Sequence, residues 1–226
     1  MQYKNVVEGA FVRRCNRFVA EVRMGNEIIP CHVKNTGRLA ELLTENARVF
    51  LEKSENKARK YAYDLISVYR GDVLFNIDSV SPNKVVAEWI EEGHIFAELV
   101  KLQPEKTFKN SRFDFYIETK NEKIFMEVKG VTLEDNGVLL FPDAPTERGV
   151  KHLEELVEAA SAGFGAYVVF VAKTRAGHVF RPNEKTHPAF GAALKKAKDN
   201  GVHILCLGCR VTENSLHIER EIPIEI

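Results

Sequence analysis

The sequence has no excess charge of either sign: 32 Lys and Arg balance 32 Asp and Glu. That excludes a globally basic protein that coats nucleic acid, while leaving room for a local patch. No apolar run approaches the ~20 residues a membrane span requires. The opening MQYKNVVEGAFVRRC also lacks the apolar core of a secretory signal. Both absences point to a cytoplasmic chain with no membrane partner. With 4 cysteines in 226 residues, reduced buried thiols are expected rather than a disulfide framework. Phosphate-cradling glycine-rich loops, cofactor fingerprints, internal repeats and low-complexity tracts are missing as well.

What is present is an ordinary globular balance, 45% hydrophobic and 28% charged, with 14 Phe to fill one large core or two small ones. Charge is unevenly spread. Residues 1–80 hold 13 basic and 10 acidic side chains, leaving 19 basic and 22 acidic in the rest. The first segment reads as short strands at 6–14, 17–24, 27–33, 49–53 and 61–69. Turns fall at Gly25-Asn26 and Asn35-Thr36-Gly37, and 39–43 reads as one helical turn. Five short strands in so few residues predict a small closed barrel of the oligonucleotide/oligosaccharide-binding (OB) type, with an SH3-like barrel as the alternative. The polar connector 78–83 marks a boundary, giving domains 1–80 and 81–226. Beyond it the pattern is α+β: a helix at 84–92 capped by Asn83, a hairpin, helices at 146–161 and 188–200, a strand at 166–172, another at 202–207 and an edge strand at 216–224.

The hairpin carries the chemistry. With Lys120-Asn121 at the turn, Ile117, Phe115 and Phe113 pair with Ile124, Met126 and Val128 on one face. The other face pairs Tyr116 with Phe125, Asp114 with Glu127, and Arg112 with Lys129. Two opposed carboxylates repel unless a cation lies between them, and Mg²⁺ or Mn²⁺ is held by such a pair with waters and a phosphate. Lys129 points to the same side and can position a water or stabilise phosphoryl charge. The simpler reading is a solvated hairpin face. Against it, the carboxylates oppose each other rather than cations.

Asp114 with Glu127-Val128-Lys129 resembles the core of the PD-(D/E)xK restriction-endonuclease-like superfamily. More narrowly, Asn35-Thr36-Gly37, Ser111-Arg112-Phe113-Asp114-Phe115, Glu127-Val128-Lys129-Gly130-Val131-Thr132-Leu133, FPDAPTERGVKHL at 141–153 and Phe180-Arg181-Pro182 resemble the sugar fermentation stimulation protein family over nearly the whole chain. Two departures stand out: Phe113 replaces the superfamily's proline, and Arg38-Leu39 follow the Asn-Thr-Gly turn. The resemblance implies an OB-type barrel, a restriction-endonuclease-like mixed α/β domain with a central sheet, DNA binding, and a link to the regulation of sugar utilisation. It also implies that a helical glutamate, here Glu88, helps Asp114 and Glu127 hold the metal. A solvated surface glutamate is the alternative.

Candidate DNA contacts are basic residues near aromatics. In the barrel they are Arg13, Arg14 and Arg17, then Lys53, Lys57, Arg59, Lys60, Tyr61 and Tyr63. In the second domain they are Arg112, Lys151 and the i,i+4 pair Arg148 and His152 at the start of a helix whose stripe is read as Val150, Leu153, Val157 and Ala160. Each of these sets also reads as an ordinary solvated surface. Cys206 and Cys209 have CxxC spacing but end a strand and lack further ligands, so they read as buried thiols. Three functions are carried forward. The first is a DNA-binding protein gripping the backbone without base reading. The second is an active Mg²⁺- or Mn²⁺-dependent nuclease using Asp114, Glu127 and Lys129. The third is a sugar- or nucleotide-sensing regulator. Composition does not specify an oligomeric state.

Overall fold

In the computed structural model, which describes residues 1–226, the first third closes into a barrel. Strands β1 (Val6–Asn16), β2 (Val19–Met24) and β3 (Glu27–His32) form a meander. Then β4 (Arg48–Lys53) returns to the free edge of β1, and β5 (Tyr63–Arg70) pairs with β4. One parallel bridge, His32 to Asp64, joins β3 to β5 and closes the ring. This is the five-stranded OB arrangement. A short β6 (Val73–Asn76) extends it. Gly25, at φ 59°, makes the tight β2–β3 turn, a conformation L-residues avoid. Phe11, Val22, Val49, Leu51, Leu65 and Val68 alternate inward, and Leu39, Leu42 and Leu43 join them from the β3–β4 connection. There the predicted helical turn is a single one, with Leu43 N–H donating to the Leu39 carbonyl at 2.8 Å.

The second domain begins with α1 (Ser81–Glu91), earlier than the sequence predicts. Pro82 belongs in a first helical turn, where no N–H is needed. Asn83 therefore lies inside the helix rather than capping it. A meander follows: β7 (Leu99–Phe108), β8 (Ser111–Thr119) and β9 (Lys123–Val131). A small hairpin, β10 (Leu133–Asp135) and β11 (Val138–Phe141), leads to α2 (Glu147–Ser161), which is capped by Thr146 accepting from the Gly149 N–H. The remaining elements are β12 (Gly165–Ala172), β13 (Val179–Pro182), α3 (Pro188–Asp199), β14 (His203–Val211) and β15 (Leu216–Glu221).

The central sheet has the order β15-β14-β12-β9-β8-β7, with β9, β12 and β14 parallel at its middle. Such strands are covered on both faces, which is why β12 is a nearly unbroken apolar run. Ile124, Met126 and Val128 of β9 pack with α1 on one face, while Phe125 packs with α2 and α3 on the other. β10, β11 and β13 form a separate three-stranded sheet. Strands of three or four residues are too short to announce themselves by periodicity.

The two domains are closely joined. Met1 and Tyr3 are buried in the α1 layer rather than in the barrel, and Gln2 bridges to Ser215, so the chain crosses the expected boundary at 80. Buried Asp78 accepts from Lys34 at 3.0 Å through its carboxylate and from the fully buried Lys173 ammonium at 3.1 Å through its carbonyl. No helix is long and apolar enough to cross a membrane.

Candidate active site and nucleic-acid interface

The β8–β9 register is the predicted one close to the turn: Ile117 pairs with Ile124, Tyr116 with Phe125 and Phe115 with Met126. The ladder stops there. Instead of a next backbone rung, the Asp114 carboxylate accepts the Val128 N–H at 2.8 Å, and its other oxygen accepts from Asn83 of α1 at 2.8 Å. Phe113 consequently leaves the α1 face and packs against Phe125 and His152 at ring-centroid distances of 5.7 and 6.0 Å. The hairpin register predicts Asp114 and Glu127 as rung partners, and the structure shows that they are not. They meet where the strands part, with Asp114 standing in for a missing carbonyl. Arg112 and Lys129 separate as well: Arg112 faces Glu105 at 3.4 Å on the outer surface.

Glu127 is 4% exposed. Its Oε1 accepts from the Lys129 ammonium at 2.6 Å and from His152 Nδ1, while Oε2 is buried with no partner at all. His152 in turn accepts a hydrogen bond from Arg148 Nε at 3.3 Å through Nε2, so its proton is assigned to Nδ1, facing Glu127. Burial works to raise the Glu127 carboxyl, but the His152 hydrogen bond and the Lys129 charge outweigh it and hold the group below its ordinary value. Asp114 goes the other way. Burial, and then the Glu127 charge, push its pKa up, and no cation pairs with it directly. One carboxylate is therefore committed to its charge, and its neighbour holds charge reluctantly.

That pair fits a divalent cation. A buried carboxylate oxygen without a partner costs free energy that a ligated ion would remove. A second carboxyl destabilised by a like charge would lose the same penalty. No group of three or more His, Cys, Asp or Glu side chains is gathered to hold a metal. Asp114 and Glu127 therefore offer two carboxylates, and a hard cation held by them would draw its remaining ligands from elsewhere. Glu88 does not join it. It pairs with the Met1 ammonium on the far side of α1, with its side chain 47% exposed. The α1 residue that reaches the site is Asn83. Its signal was present in the sequence, since Asn83, Val86 and Ile90 share a helix face at i, i+3 and i+7.

His152 is likewise no surface contact. It is 4% exposed, because the inner stripe of α2 is Gly149, His152, Leu153, Leu156 and Ala159, with Val150 and Val157 only half-buried. Gly149 lets the helix approach Phe190, and the polar patch it lays down faces a polar site. The predicted stripe was shifted because valines outrank histidine and glycine on hydrophobicity alone.

Among the remaining basic candidates, several have internal work. Arg14 donates to the carbonyls of Gly37, Arg38, Arg17 and Asn35 at 2.5–2.9 Å, which fixes the Asn35-Thr36-Gly37 turn. Arg59 makes a two-pronged pair with buried Asp64. Arg13 is engaged by Glu21. Lys151 donates to the Asn110 carbonyl at 3.2 Å. Arg17, Lys57 and Lys60 are exposed and make no ion pair. Lys60 lies 5.4 Å from the Tyr61 ring centre. Arg17 sits in the β1–β2 loop beside exposed Phe18, and the others in the β4–β5 loop.

The chain matches two family models: the SfsA N-terminal OB domain over residues 12–77 and the sugar fermentation stimulation protein RE domain over 80–215. It is 53% identical over 219 residues to a sugar fermentation stimulation protein homolog of Clostridium beijerinckii, covering 96% of each chain. A homolog of Desulfitobacterium hafniense is 56% identical over 216 residues, covering 96% of this chain and 94% of the relative. Among solved structures, Pyrococcus furiosus SfsA in complex with Ca²⁺ superposes with a TM-score of 0.92 at 28% identity, covering 100% of this chain and 98% of the other.

Proposed function

Starting from a chain that belongs to the sugar fermentation stimulation protein family, we propose a DNA-binding protein whose second domain hydrolyses phosphodiester bonds with a divalent cation. The observation that carries this reading is the partnerless, buried Glu127 Oε2 beside a reluctantly charged Asp114. A buried carboxylate oxygen without a partner, next to a carboxyl disfavoured by burial and a like charge, is costly, and a fold kept for binding alone has no need of it.

Asp114 and Glu127 would hold Mg²⁺ or Mn²⁺. The ion supplies Lewis-acid stabilisation of phosphate charge and a more acidic water. A relative described as a Ca²⁺ complex supports a hard divalent ion at this fold. Lys129 brings a positive charge to the same side, where it orients the attacking water and offsets charge building on the phosphate. His152 locks the Glu127 rotamer through Nδ1, and Arg148 anchors His152 from outside while offering its remaining N–H groups to a neighbouring phosphate. Asn83 holds Asp114 from α1. In the barrel, the β1–β2 and β4–β5 loops carry Arg17, Lys57, Lys60 and Tyr61. OB barrels use these same loops for oligonucleotides. Because the contacts are to backbone phosphates, binding weakens steeply as salt rises.

The test is incubation with single- and double-stranded DNA in Mn²⁺, beside Glu127→Gln, which preserves shape and an acceptor for Lys129. Wild-type protein cleaves and the variant loses about 1000-fold or more, the scale of several kcal/mol of lost charge stabilisation. Cleavage that persists in Glu127→Gln defeats the mechanism. DNA affinity that is flat between low and high salt defeats the mode of binding.

A further inference from the structure

The metal-site reading leaves three motifs of the sequence unused: Asn35-Thr36-Gly37, the Gly130–Leu133 segment and the Phe141–Thr146 segment. The fold brings all three to one place. They line a single cleft of about 320 Å³ between barrel and second domain. The barrel wall is the turn that Arg14 fixes through four carbonyls. The floor is the end of β9, where the bare Cα of Gly130 lets Pro82 and Lys173 pack close behind it. The far wall runs from Phe141 to Thr146, the cap of α2.

The chemistry of this lining is specific. No lysine or arginine side chain lines it, and the one nearby ammonium, Lys173, lies behind the Gly130 floor. It offers Phe141, Pro142 and Pro145 as apolar surface, Thr36 and Thr132 hydroxyls, and one carboxylate, Asp143, which pairs with no cation or donor elsewhere in the chain. Flat apolar faces with hydrogen-bond donors along an edge are what a nucleobase presents. Position adds to this. Successive residues of β9 face opposite sides, so Gly130 and Lys129 do not share a face; the cleft meets the metal site through α2, whose cap Thr146 lines the cleft and whose His152 bonds Glu127. The volume suits one nucleotide-sized group and excludes a duplex.

We propose that this cleft is a nucleobase subsite. It takes the base of a nucleotide unstacked from DNA, while the adjoining phosphate lies at Lys129 and Glu127. Asp143 accepts from the edge of the base, so bases with an amino group are preferred: guanine, whose N1–H and N2–H₂ lie side by side, and then adenine and cytosine, each with one amino group. Thymine, with carbonyls flanking its one donor, is disfavoured. Extruding the base costs stacking energy, least at a strand end or in single-stranded DNA, so such DNA is the substrate class. The proposal rests on the nuclease-like reading for where the phosphate lies, but base capture itself needs no cleavage.

The test uses the full chain with DNA carrying terminal 2-aminopurine, whose fluorescence is quenched by stacking. It is run in Ca²⁺ without Mn²⁺, with DNA binding followed in parallel by anisotropy. Wild type gives a rise of about threefold or more on saturation, the signature of an unstacked base. Gly37→Val abolishes the rise at DNA concentrations that saturate the variant, because even a methyl there stands 2.9 Å from Asp143 Oδ2 and 3.0 Å from Asn35 Oδ1. Asp143→Asn, an exposed position with no structural bond, equalises the affinity for single strands ending in guanine and in thymine. Should Gly37→Val fail to fold, the Asp143→Asn comparison decides. No rise in wild type, a rise unchanged in Gly37→Val, an unaltered base preference in Asp143→Asn, or no DNA binding overturns the subsite. A rise without any cleavage in Mn²⁺ sustains the subsite and removes the nuclease reading.

Discussion

A buried acid in the barrel and a half-buried one in the second domain have opposite fates. Asp64 in the barrel is 4% exposed and surrounded by partners: the cations Arg59 at 2.6 Å and Lys34 at 3.5 Å, and the His32 ring at 2.9 Å. Burial would raise its pKa, but the Arg59 and His32 hydrogen bonds and the Lys34 charge bring it down to about 2. Asp114 in the second domain is also withdrawn from water, yet it receives only neutral donors, Asn83 and the Val128 N–H, and a like-charged neighbour. The first site is complete and braces the bridge that closes the barrel. The second lacks a cation, and that lack is what the proposed divalent ion would supply.

This contrast can be broken from either side. The largest stability effect is expected at Asp64, where Asp64→Asn strands the Arg59 and Lys34 cations and costs about 3 kcal/mol, read as a lower urea midpoint. A loss no greater than at an exposed carboxylate would show that the brace is not one. Acid titration sharpens the same point. The folded-state pKa of Asp64 lies below the unfolded one, so its contribution is complete above about pH 4 and drains away as the pH falls toward about 2. Wild type should lose stability through that window, and Asp64→Asn should lose less.

Asp114 has the opposite sign. With its pKa raised, the group favours folding only below the ordinary carboxylate range, and that contribution is lost as pH rises through the folded value. At pH 7, in the absence of metal, Asp114→Asn should therefore stabilise the protein by about 1 kcal/mol. It should also weaken the Mn²⁺-induced rise in Tm. A destabilised variant with metal response intact would place the ion elsewhere. The smallest effect is expected in the barrel loops. Arg17→Glu with Lys60→Glu should lower DNA affinity several-fold and flatten the salt dependence by about one unit of slope per cation removed. Arg13→Ala should do less, because Glu21 already occupies Arg13. Equal losses for both would spread the interface over the whole barrel.

Much of the molecule is legible in the chain. Period-two patterning and the Gly25-Asn26 turn announce the barrel strands, the Ile117/Ile124 rung fixes the hairpin, and Glu127-Val128-Lys129 draws attention to the strand that carries buried Glu127. The misreadings share one cause. Hydrophobicity ranks residues by their own chemistry, whereas burial depends on what lies opposite. His152 is buried because Glu127 waits beneath it within an otherwise apolar surface. Arg14 and Arg59 are withdrawn from solvent because loop carbonyls and Asp64 needed donors. Glu88 went to the chain's own N-terminus, which no local pattern foretells.

By itself, then, the sequence determined which segments extend, which coil, and which strand pair bears acids and a lysine, since all of these follow from short-range periodicity and turn stereochemistry. Tertiary structure alone decided that the β8–β9 ladder parts at Asp114, that Asn83 and His152 hold the acids from two different helices, and that the unused motifs close into one cleft. Those outcomes depend on contacts between residues tens of positions apart, and a linear pattern carries no information about which polar group will meet which.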